Sequence, residues 1–542
     1  MGNERCVLAI DLGSGSVKVA LVSKRAEVLA SANRPIRTEL LPGGGAEQDP
    51  NEWWAAVMDA ARAVLREAAL PAECVVAVRC VTQWAVTVAV DAEGRALANA
   101  LSWLDVRGGP HSRRITDGPI RVGGYDARKL WRWVRLTGAA PARTGGDGLG
   151  HILWFQHERP DLHAKTHKFL EPMDYLNLRL TGRFAASHGT IFPYWLTDNR
   201  DPNRIHYDDS LLRMAGVDRA KLPDLLPVDA VVGPLRPDVA RELGLRPETP
   251  VLAGACDGPA ATIGAGAVDD YQGYFYIGTT SWLSCHVPAK KTDLRRLLST
   301  MPSVLPGRYM VMAEQGVAGR CLEFLKDALL YPRGEPGIEE PANVWEVLDA
   351  SARSVRAGSD GLLFTPWING VLAPAGDGTT RSAFFNQSLR TTRAHYVRAV
   401  MEGVAYNLRW LRGAVQKFVG RPFPELRFIG GGALSDTWCG ILADVLGTPI
   451  RQIENPRFAN AVGGALAAFA ALGELRVEEI PHLVRTAAVH EPDPAHRALH
   501  DELFAEFLEL YRRTKPIYRR LNGRRRRNRV SAPAADRSGP TS

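Results

Sequence analysis

The stretch that most constrains this chain is residues 7–22, Val-Leu-Ala-Ile-Asp-Leu-Gly-Ser-Gly-Ser-Val-Lys-Val-Ala-Leu-Val. Two apolar runs rich in β-branched residues flank a turn of small residues, Gly13-Ser14-Gly15-Ser16. Each run is too short for a globular helix, so the pattern predicts a β-hairpin. Small residues let the backbone N–H groups of the turn approach a phosphate closely. Asp11 ends the first strand, where one carboxylate can hold Mg²⁺ or its waters beside phosphate oxygens. Lys18 adds a nearby positive charge. An ordinary hairpin uses the same Asp and Gly residues, so the segment alone leaves both readings open.

The pattern recurs half a chain later. Residues 273–287 again read as strand, small polar turn and strand, with Gly278-Thr279-Thr280-Ser281 in the turn. Two similar domains, each opened by such a hairpin, would face each other across a cleft and grip a nucleotide's phosphates from both sides. A third small-residue turn, Gly430-Gly431-Gly432-Ala433, joins the strand 426–429 to a helix that Ser435 caps. Bare backbone there suits a flat base or ribose, and a tight strand–helix connection would use the same residues. It is not G-x-G-x-x-G, which argues against a dinucleotide site. A fourth segment, 249–266, predicts a strand ending at Asp257 and opening into a helix of small residues. Residues 51–69 predict an amphipathic helix opened by Asp49-Pro50, and 74–91 a buried strand pair with Gln83-Trp84 between them. The glycines at 463 and 464, in an alanine-rich helix over 459–471, predict close helix packing.

Strand-end aspartates beside phosphate-compatible turns point to phosphoryl transfer, which needs positioning, charge neutralisation and a base near the attacking hydroxyl. Asp11 suits the metal and Asp257 the base. A P-loop is excluded by the lack of G-x-x-x-x-G-K-[ST], and a protein kinase by the lack of H-R-D and D-F-G. The net charge of +8 does not imply nucleic acid. Ten Lys and Arg, with no acid, lie between 512 and 529, and the rest of the chain carries −2. This basic end reads as a solvated tail, with contact to phosphates as the other reading. The seven scattered cysteines predict reduced core thiols in a cytoplasmic protein. No apolar run is long enough to span a bilayer and no signal peptide is recognisable. His111, His151, His188, His206 and His286 show no ligand spacing and read as structural or surface residues.

Four segments resemble, in order and spacing, the motifs of the FGGY carbohydrate kinases. They are Asp11-Leu-Gly-Ser-Gly-Ser-Val-Lys18, Gly254-Ala-Cys-Asp257-Gly, Gly278-Thr-Thr-Ser281 and Gly430-Gly-Gly-Ala-Leu-Ser435. Glu47-Gln-Asp-Pro50 with Trp53-Trp54, Trp103-Leu-Asp105-Val-Arg107, and Pro366-Trp367 through Arg381-Ser-Ala-Phe-Phe385 add to the resemblance, which spans roughly residues 5–515. It implies an α/β, actin-like ATPase fold with two ribonuclease-H-like domains flanking a catalytic cleft. The expected boundaries are 1–267, 268–515 and a disordered basic tail over 516–542.

The resemblance implies an ATP-dependent, xylulokinase-like carbohydrate kinase with Mg²⁺ as cofactor. The expected acceptor is a pentulose such as xylulose; other ketoses, polyols, aldonic acids and a catalytically silent paralogue stay open. Small-molecule sugar is the expected partner, with no specific nucleic acid, no membrane, and a homodimer left open. Residue by residue, Asp11 resembles the Mg²⁺-linked aspartate and Asp257 the base, which also touches the sugar. Gly13, Ser14, Gly15, Ser16 and Lys18 resemble the first phosphate loop, and Gly278, Thr279, Thr280 and Ser281 the second. Gly431, Gly432 and Ser435 resemble the adenosine wall. Gln83, Trp84, Trp103, Asp105 and Arg107 fall where the family contacts sugar. Pentulose kinases similar to xylulokinase carry Gln-Met-His where this chain has Gln83-Trp84-Ala85, so Trp84 either stacks on a sugar or belongs to the core. The segments 317–318 and 457–462 also depart from the family pattern, on the nucleotide side.

Overall fold

The computed structural model describes residues 4–531 except 333 and 336. The opening hairpin is present: β1 (Cys6–Leu12) and β2 (Ser16–Ser23) pair antiparallel, with Asp11 opposite Lys18. With β3 (Val28–Pro35), β4 (Val75–Thr82), β5 (Val231–Pro234) and β6 (Pro250–Cys256) they form a sheet of order β5-β6-β4-β1-β2-β3. The second sheet contains β7 (Gly273–Ile277), β8 (Thr280–Val287), β9 (Thr292–Asp293), β10 (Leu298–Pro302), β11 (Tyr309–Val317), β12 (Leu426–Ile429), β13 (Ile450–Ile453) and β14 (Thr486–His490). Its order is β9-β10-β11-β8-β7-β12-β13-β14.

The two sheets repeat one plan. An antiparallel meander (β3-β2-β1 and β11-β8-β7) continues into two parallel strands (β4-β6 and β12-β13), as the resemblance implied for ribonuclease-H-like halves. The repeat extends to an antiparallel edge strand, β5 or β14, that sequence reasoning did not anticipate. The expected strand pair over 74–91 is corrected. Val75–Thr82 pairs with β1 and β6, whereas Val88–Val90 pairs with Lys168–Leu170 in a separate small sheet. The apolar pattern located both strands, but pairing is a long-range choice that the pattern does not encode.

Strand β1 is buried on both faces, which is why it reads as a continuous apolar run. Its alternation sorts by size. Cys6, Leu8, Ile10 and Leu12 enter the outer core with Trp53, Val57 and Val64 of the helix Pro50–Ala68. Val7 and Ala9, with Ala20 and Ala77, face a core shared by the two halves. There α1 (Asp257–Gly264), which follows β6, packs on α2 (Ala459–Ala471), which follows β13. The two backbones almost touch. A Cβ on Gly463 would lie 1.9 Å from Ala260 O, and one on Gly264 would lie 1.8 Å from Ala459 O.

The last helix runs Arg497–Ser531. The segment expected to be a disordered tail from 516 is therefore helical from its start, and Asn522 Nδ2 donates to Thr379 O at 2.8 Å. A charge run signals poor core-forming ability but does not prevent a helix from continuing out of a packed one. Residues 532–542 lie outside the described residues. Among the described residues no helix is long and apolar enough to cross a membrane, and all seven cysteines are buried free thiols.

Gly463→Ala is expected to lower stability in urea denaturation by about 2–3 kcal/mol, the usual cost of overpacking. Gly413→Ala, in the helix Arg393–Val419 where an added Cβ meets nothing within 4 Å, is expected to raise it by about 0.5–1 kcal/mol. A neutral Gly463→Ala would show that the helix crossing tolerates a wider spacing.

Candidate active site

Strands β1, β4 and β6 run parallel, so their C-terminal ends share one edge of the first sheet. Asp11 sits near the end of β1 and Asp257 just beyond β6, two strands away, or about 10 Å at the usual strand spacing. Between them β4 ends at Thr82 and leads into Gln83-Trp84, and the Gln83 amide donates to Leu12 O at 2.8 Å. Sheet topology thus collects three segments far apart in sequence.

Asp11 is only 2% exposed. Lys18 Nζ lies 3.2 Å from its Oδ2, and Asn460 Nδ2 of α2 donates to its Oδ1 at 3.4 Å, a contact from the other half of the chain. The hairpin turn is closed by the Gly13 amide on Ser16 O at 3.0 Å. Gly15 is open, with nothing within 4 Å of an added Cβ. Ser14 links this turn to the next segment. Its hydroxyl donates to Gln83 Oε1 at 2.8 Å and accepts from Trp103 Nε1 at 3.0 Å. Gln83 in turn donates to Gln48 Oε1 at 2.6 Å, and Gln48 donates to Ser14 O at 2.9 Å. Trp103, 37% exposed, is the member of this network that most faces solvent.

Asp105 and Arg107 act on each other. Asp105 has no exposed surface, and its carboxylate accepts from the Ala46 amide at 3.0 Å, the Arg107 amide at 2.9 Å and the Arg107 guanidinium at 2.6 Å. Arg107 also pairs with Glu47 at 2.6 Å and stacks over Trp154. Trp84 stacks on Phe192, with ring centroids 6.0 Å apart and planes within 7°, in an apolar cluster with Met310 and Met312 of the second half.

Asp257 opens α1, and its Oδ1 accepts its neighbour's amide, Gly258 N, at 2.7 Å. Its pKa is pushed up from the ordinary carboxylate value to about 7. Burial is the main cause; the Gly258 amide opposes it, and the charges of Asp11 and Glu314 add to it. Glu314 lies on β11 of the second half and is itself pushed up by burial. The second half also fixes the backbone here, because Tyr274 OH donates to Gly258 O at 2.8 Å and Met312 packs against Gly258.

The second and third small-residue turns meet in one cavity of about 550 Å³, a size typical of small-molecule sites. Gly278, Thr279, Gly431, Gly432 and Ser435 line it, together with Trp345, Leu434 and Arg457. Gly278 and Gly430 cannot carry side chains. A Cβ would meet Tyr276 OH at 2.1 Å in the first case and Ile277 O at 2.6 Å in the second, where φ is also +93°. Ser435 caps the helix Asp436–Leu446 by accepting from Trp438 N at 2.9 Å, and donates to Asp349 Oδ1 at 2.6 Å. Thr280 begins β8, and Ser281 is buried beside Gln315.

Sequence reasoning missed Gln48 as a network member, as well as Glu314, Asn460, Trp345 and Leu434. Gln48 was already within a quoted motif, so its polarity beside Trp53-Trp54 was an available signal. Leu434 and Asn460 also lie in segments the sequence marked, the third small-residue turn and the helix over 459–471, but their roles, like those of Glu314 and Trp345, are identified only by what they face. The bland reading of the histidines holds for His151 and His286, which burial pushes down to about 4 and which hydrogen-bond to Thr87 and to Ser303. Among the described residues no group of three or more His, Cys, Asp or Glu is arranged to hold a metal ion.

Models of the FGGY family of carbohydrate kinases match most of the chain, the N-terminal domain model over residues 6–264 and the C-terminal domain model over residues 273–472. The xylulose kinase of Staphylococcus epidermidis (strain ATCC 35984) is 26% identical over 513 residues, covering 94% of this chain and 97% of that protein. The gluconokinase of Bacillus subtilis (strain 168) is 23% identical over 489 residues, covering 90% and 91%. Among solved structures, the xylulose kinase from Rhodospirillum rubrum superposes with a TM-score of 0.80 at 26% identity, covering 95% of this chain and 100% of that one. The chain belongs to the FGGY family of carbohydrate kinases and is an ATP-dependent phosphotransferase acting on a sugar hydroxyl.

Proposed function

We propose that this kinase transfers the γ-phosphate of ATP to a hydroxyl of a pentulose such as xylulose, with Asp257 as the general base. The observation that carries this reading is the raised pKa of Asp257 at a strand end that shares its sheet edge with Asp11 and with the strand leading into Gln83. A base poised near neutrality combines a useful ionised fraction with real proton affinity. Asp257 takes the proton of the acceptor hydroxyl as its oxygen bonds to the γ-phosphorus. The bond from that phosphorus to the bridging oxygen breaks, leaving ADP. Gln83 and Trp103 bind the sugar, with Ser14 tying them to the first phosphate turn. The cavity between the second and third turns takes the nucleotide: Gly278 and Thr279 at the phosphates, Gly431, Gly432 and Ser435 against the nucleoside.

Asp11 fits a Mg²⁺ site, because a carboxylate beside a phosphate-binding turn is the hard-oxygen donor this ion takes. When bound, the ion supplies charge neutralisation of the phosphates. Lys18 and Asn460 orient the Asp11 carboxylate for that role.

An uncharged ketose is favoured over an aldonate by the state of the local cations. Arg107 is neutralised by Asp105 and Glu47. A sugar carboxylate would therefore meet a guanidinium whose charge is already taken. The similarity to a gluconokinase keeps gluconate as the second reading, and coupled ADP-release assays on xylulose, ribulose and gluconate separate the two. The expected result is the highest kcat/KM on a pentulose; a gluconate preference would overturn the assignment.

Asp257→Asn is expected to lower kcat by about 10²- to 10⁴-fold with the KM for ATP little changed. Wild-type rates within a fewfold would remove Asp257 as the base. In the wild type, kcat/KM is expected to fall as pH drops through about 7, since the base must be ionised in the free enzyme.

Stability should move the opposite way. Folded Asp257 holds its proton up to about pH 7, whereas the unfolded chain releases it near the ordinary value of 3.8, so stability falls as pH rises through that window. Asp257→Asn is expected to melt above wild type at pH 8, with the difference vanishing toward pH 4. Identical melting at both pH values would contradict the raised pKa.

A further inference from the structure

The turn that carries Gln83 and Trp84 is held from behind by a buried carboxylate that the reaction does not use. Glu171 directly precedes the helix Pro172–Thr181 and has no exposed surface. Its Oε2 accepts from the Val86 amide at 3.2 Å. Ala85, which also directs its amide at this carboxylate, has a left-handed backbone with φ of 56°, so the turn is one that a non-glycine residue adopts only when held. The other oxygen, Glu171 Oε1, has no hydrogen-bond partner among the described residues.

Two more buried polar atoms lie in the same place. Asp174 accepts from Thr190 Oγ1 at 3.1 Å through Oδ1, while its Oδ2 and the hydroxyl of Tyr194 have no hydrogen-bond partner of good geometry among the described residues. Tyr194 ends the turn Phe192–Tyr194, whose Phe192 ring stacks on Trp84. Burial pushes both carboxyl groups far above their usual range, and each lies close enough to affect Cys256, the residue before Asp257. The cluster therefore underlies both the Gln83–Trp84 turn and the strand end that carries Asp257.

A fully buried carboxyl group with an unpartnered oxygen is costly, and an apolar side chain of similar size would fill the space more stably. What Glu171 supplies that an apolar residue cannot is an acceptor for the amides of a strained turn. We propose that Glu171 is a positioning residue for sugar recognition: through the Val86 amide it fixes the turn that presents Gln83 and Trp84, and sets the affinity for sugar without touching it. This inference rests on the proposed role of that turn in sugar binding.

The test is to measure KM for xylulose and for ATP separately in Glu171→Leu, Glu171→Gln and Gln83→Ala, with melting temperatures alongside. Glu171→Leu is expected to raise the sugar KM roughly tenfold or more and to leave the ATP KM within about twofold. Glu171→Gln keeps an acceptor oxygen of the same reach and is expected to restore the sugar KM to within about threefold of wild type. Glu171→Ser, whose hydroxyl is too short to reach Val86, gives the same readout as Leu if the Leu variant does not fold. A Leu or Ser variant that melts lower but keeps its sugar KM, or raises both KM values together, makes Glu171 a packing residue and overturns the inference. If Gln83→Ala leaves the sugar KM unchanged, the reading of the turn fails and the inference with it. If Gln83→Ala raises it and the Glu171 variants do not, only the inference falls.

Discussion

The near-contact of α1 and α2 is the constraint on which the rest of the molecule depends. Gly264 and Gly463 let two helix backbones meet where any side chain would separate them. Each helix is the next one after the last parallel strand of its sheet, so their contact is where the two copies of the fold join. The small residues of the first sheet, Val7, Ala9, Ala20 and Ala77, follow from it, because larger ones would push the helix pair away. So does the site. Asp257 is the first residue of one helix, and Asn460, near the start of the other, reaches Asp11 across the join.

The join also explains how the electrostatics of the site arise. Asp257 belongs to the first half, where burial and the charge of Asp11 raise its pKa, and the second half adds the charge of Glu314 while Tyr274 and Met312 hold the adjoining Gly258. A carboxylate at the end of an isolated strand would titrate normally. Buried at the join, it becomes a group poised near neutrality, as the proposed proton abstraction from an alcohol requires. That poise destabilises the folded protein at alkaline pH, a cost that recurs in the buried Glu171 and Asp174 behind the Gln83–Trp84 turn.

The two ends of the site differ in construction. The proposed nucleotide end is mostly backbone and open space: glycines at turns, a cavity and a capped helix. The proposed sugar end is a tight network in which Ser14, Gln48, Gln83 and Trp103 satisfy one another, and in which Asp105 and Arg107 are neutralised within the protein. A site of pre-paired polar groups discriminates by what a ligand leaves unpaired. This is why the kinase reaction could be read from short motifs and the choice of sugar could not.

Much of the architecture was legible because it is local. The hairpin turns at 13–16 and 278–281, the Ser435 cap and the glycine pair at 463–464 each follow from the conformational freedom or hydrogen-bonding reach of residues within a few positions. The strand pair read into 74–91 failed, and the tail read from 516 proved helical at its start, because partners for both lie far along the chain. Gln83 meets Ser14 over 69 positions, Trp103 over 89, and Asp11 meets Asn460 over 449. The sequence by itself determined the repeated hairpin, the small-residue turns and the residue types able to carry phosphoryl transfer. Only the tertiary structure decided which strand ends share an edge, how far Asp257 is buried and which buried acid backs the Gln83–Trp84 turn, since burial and proximity are properties of the packed chain.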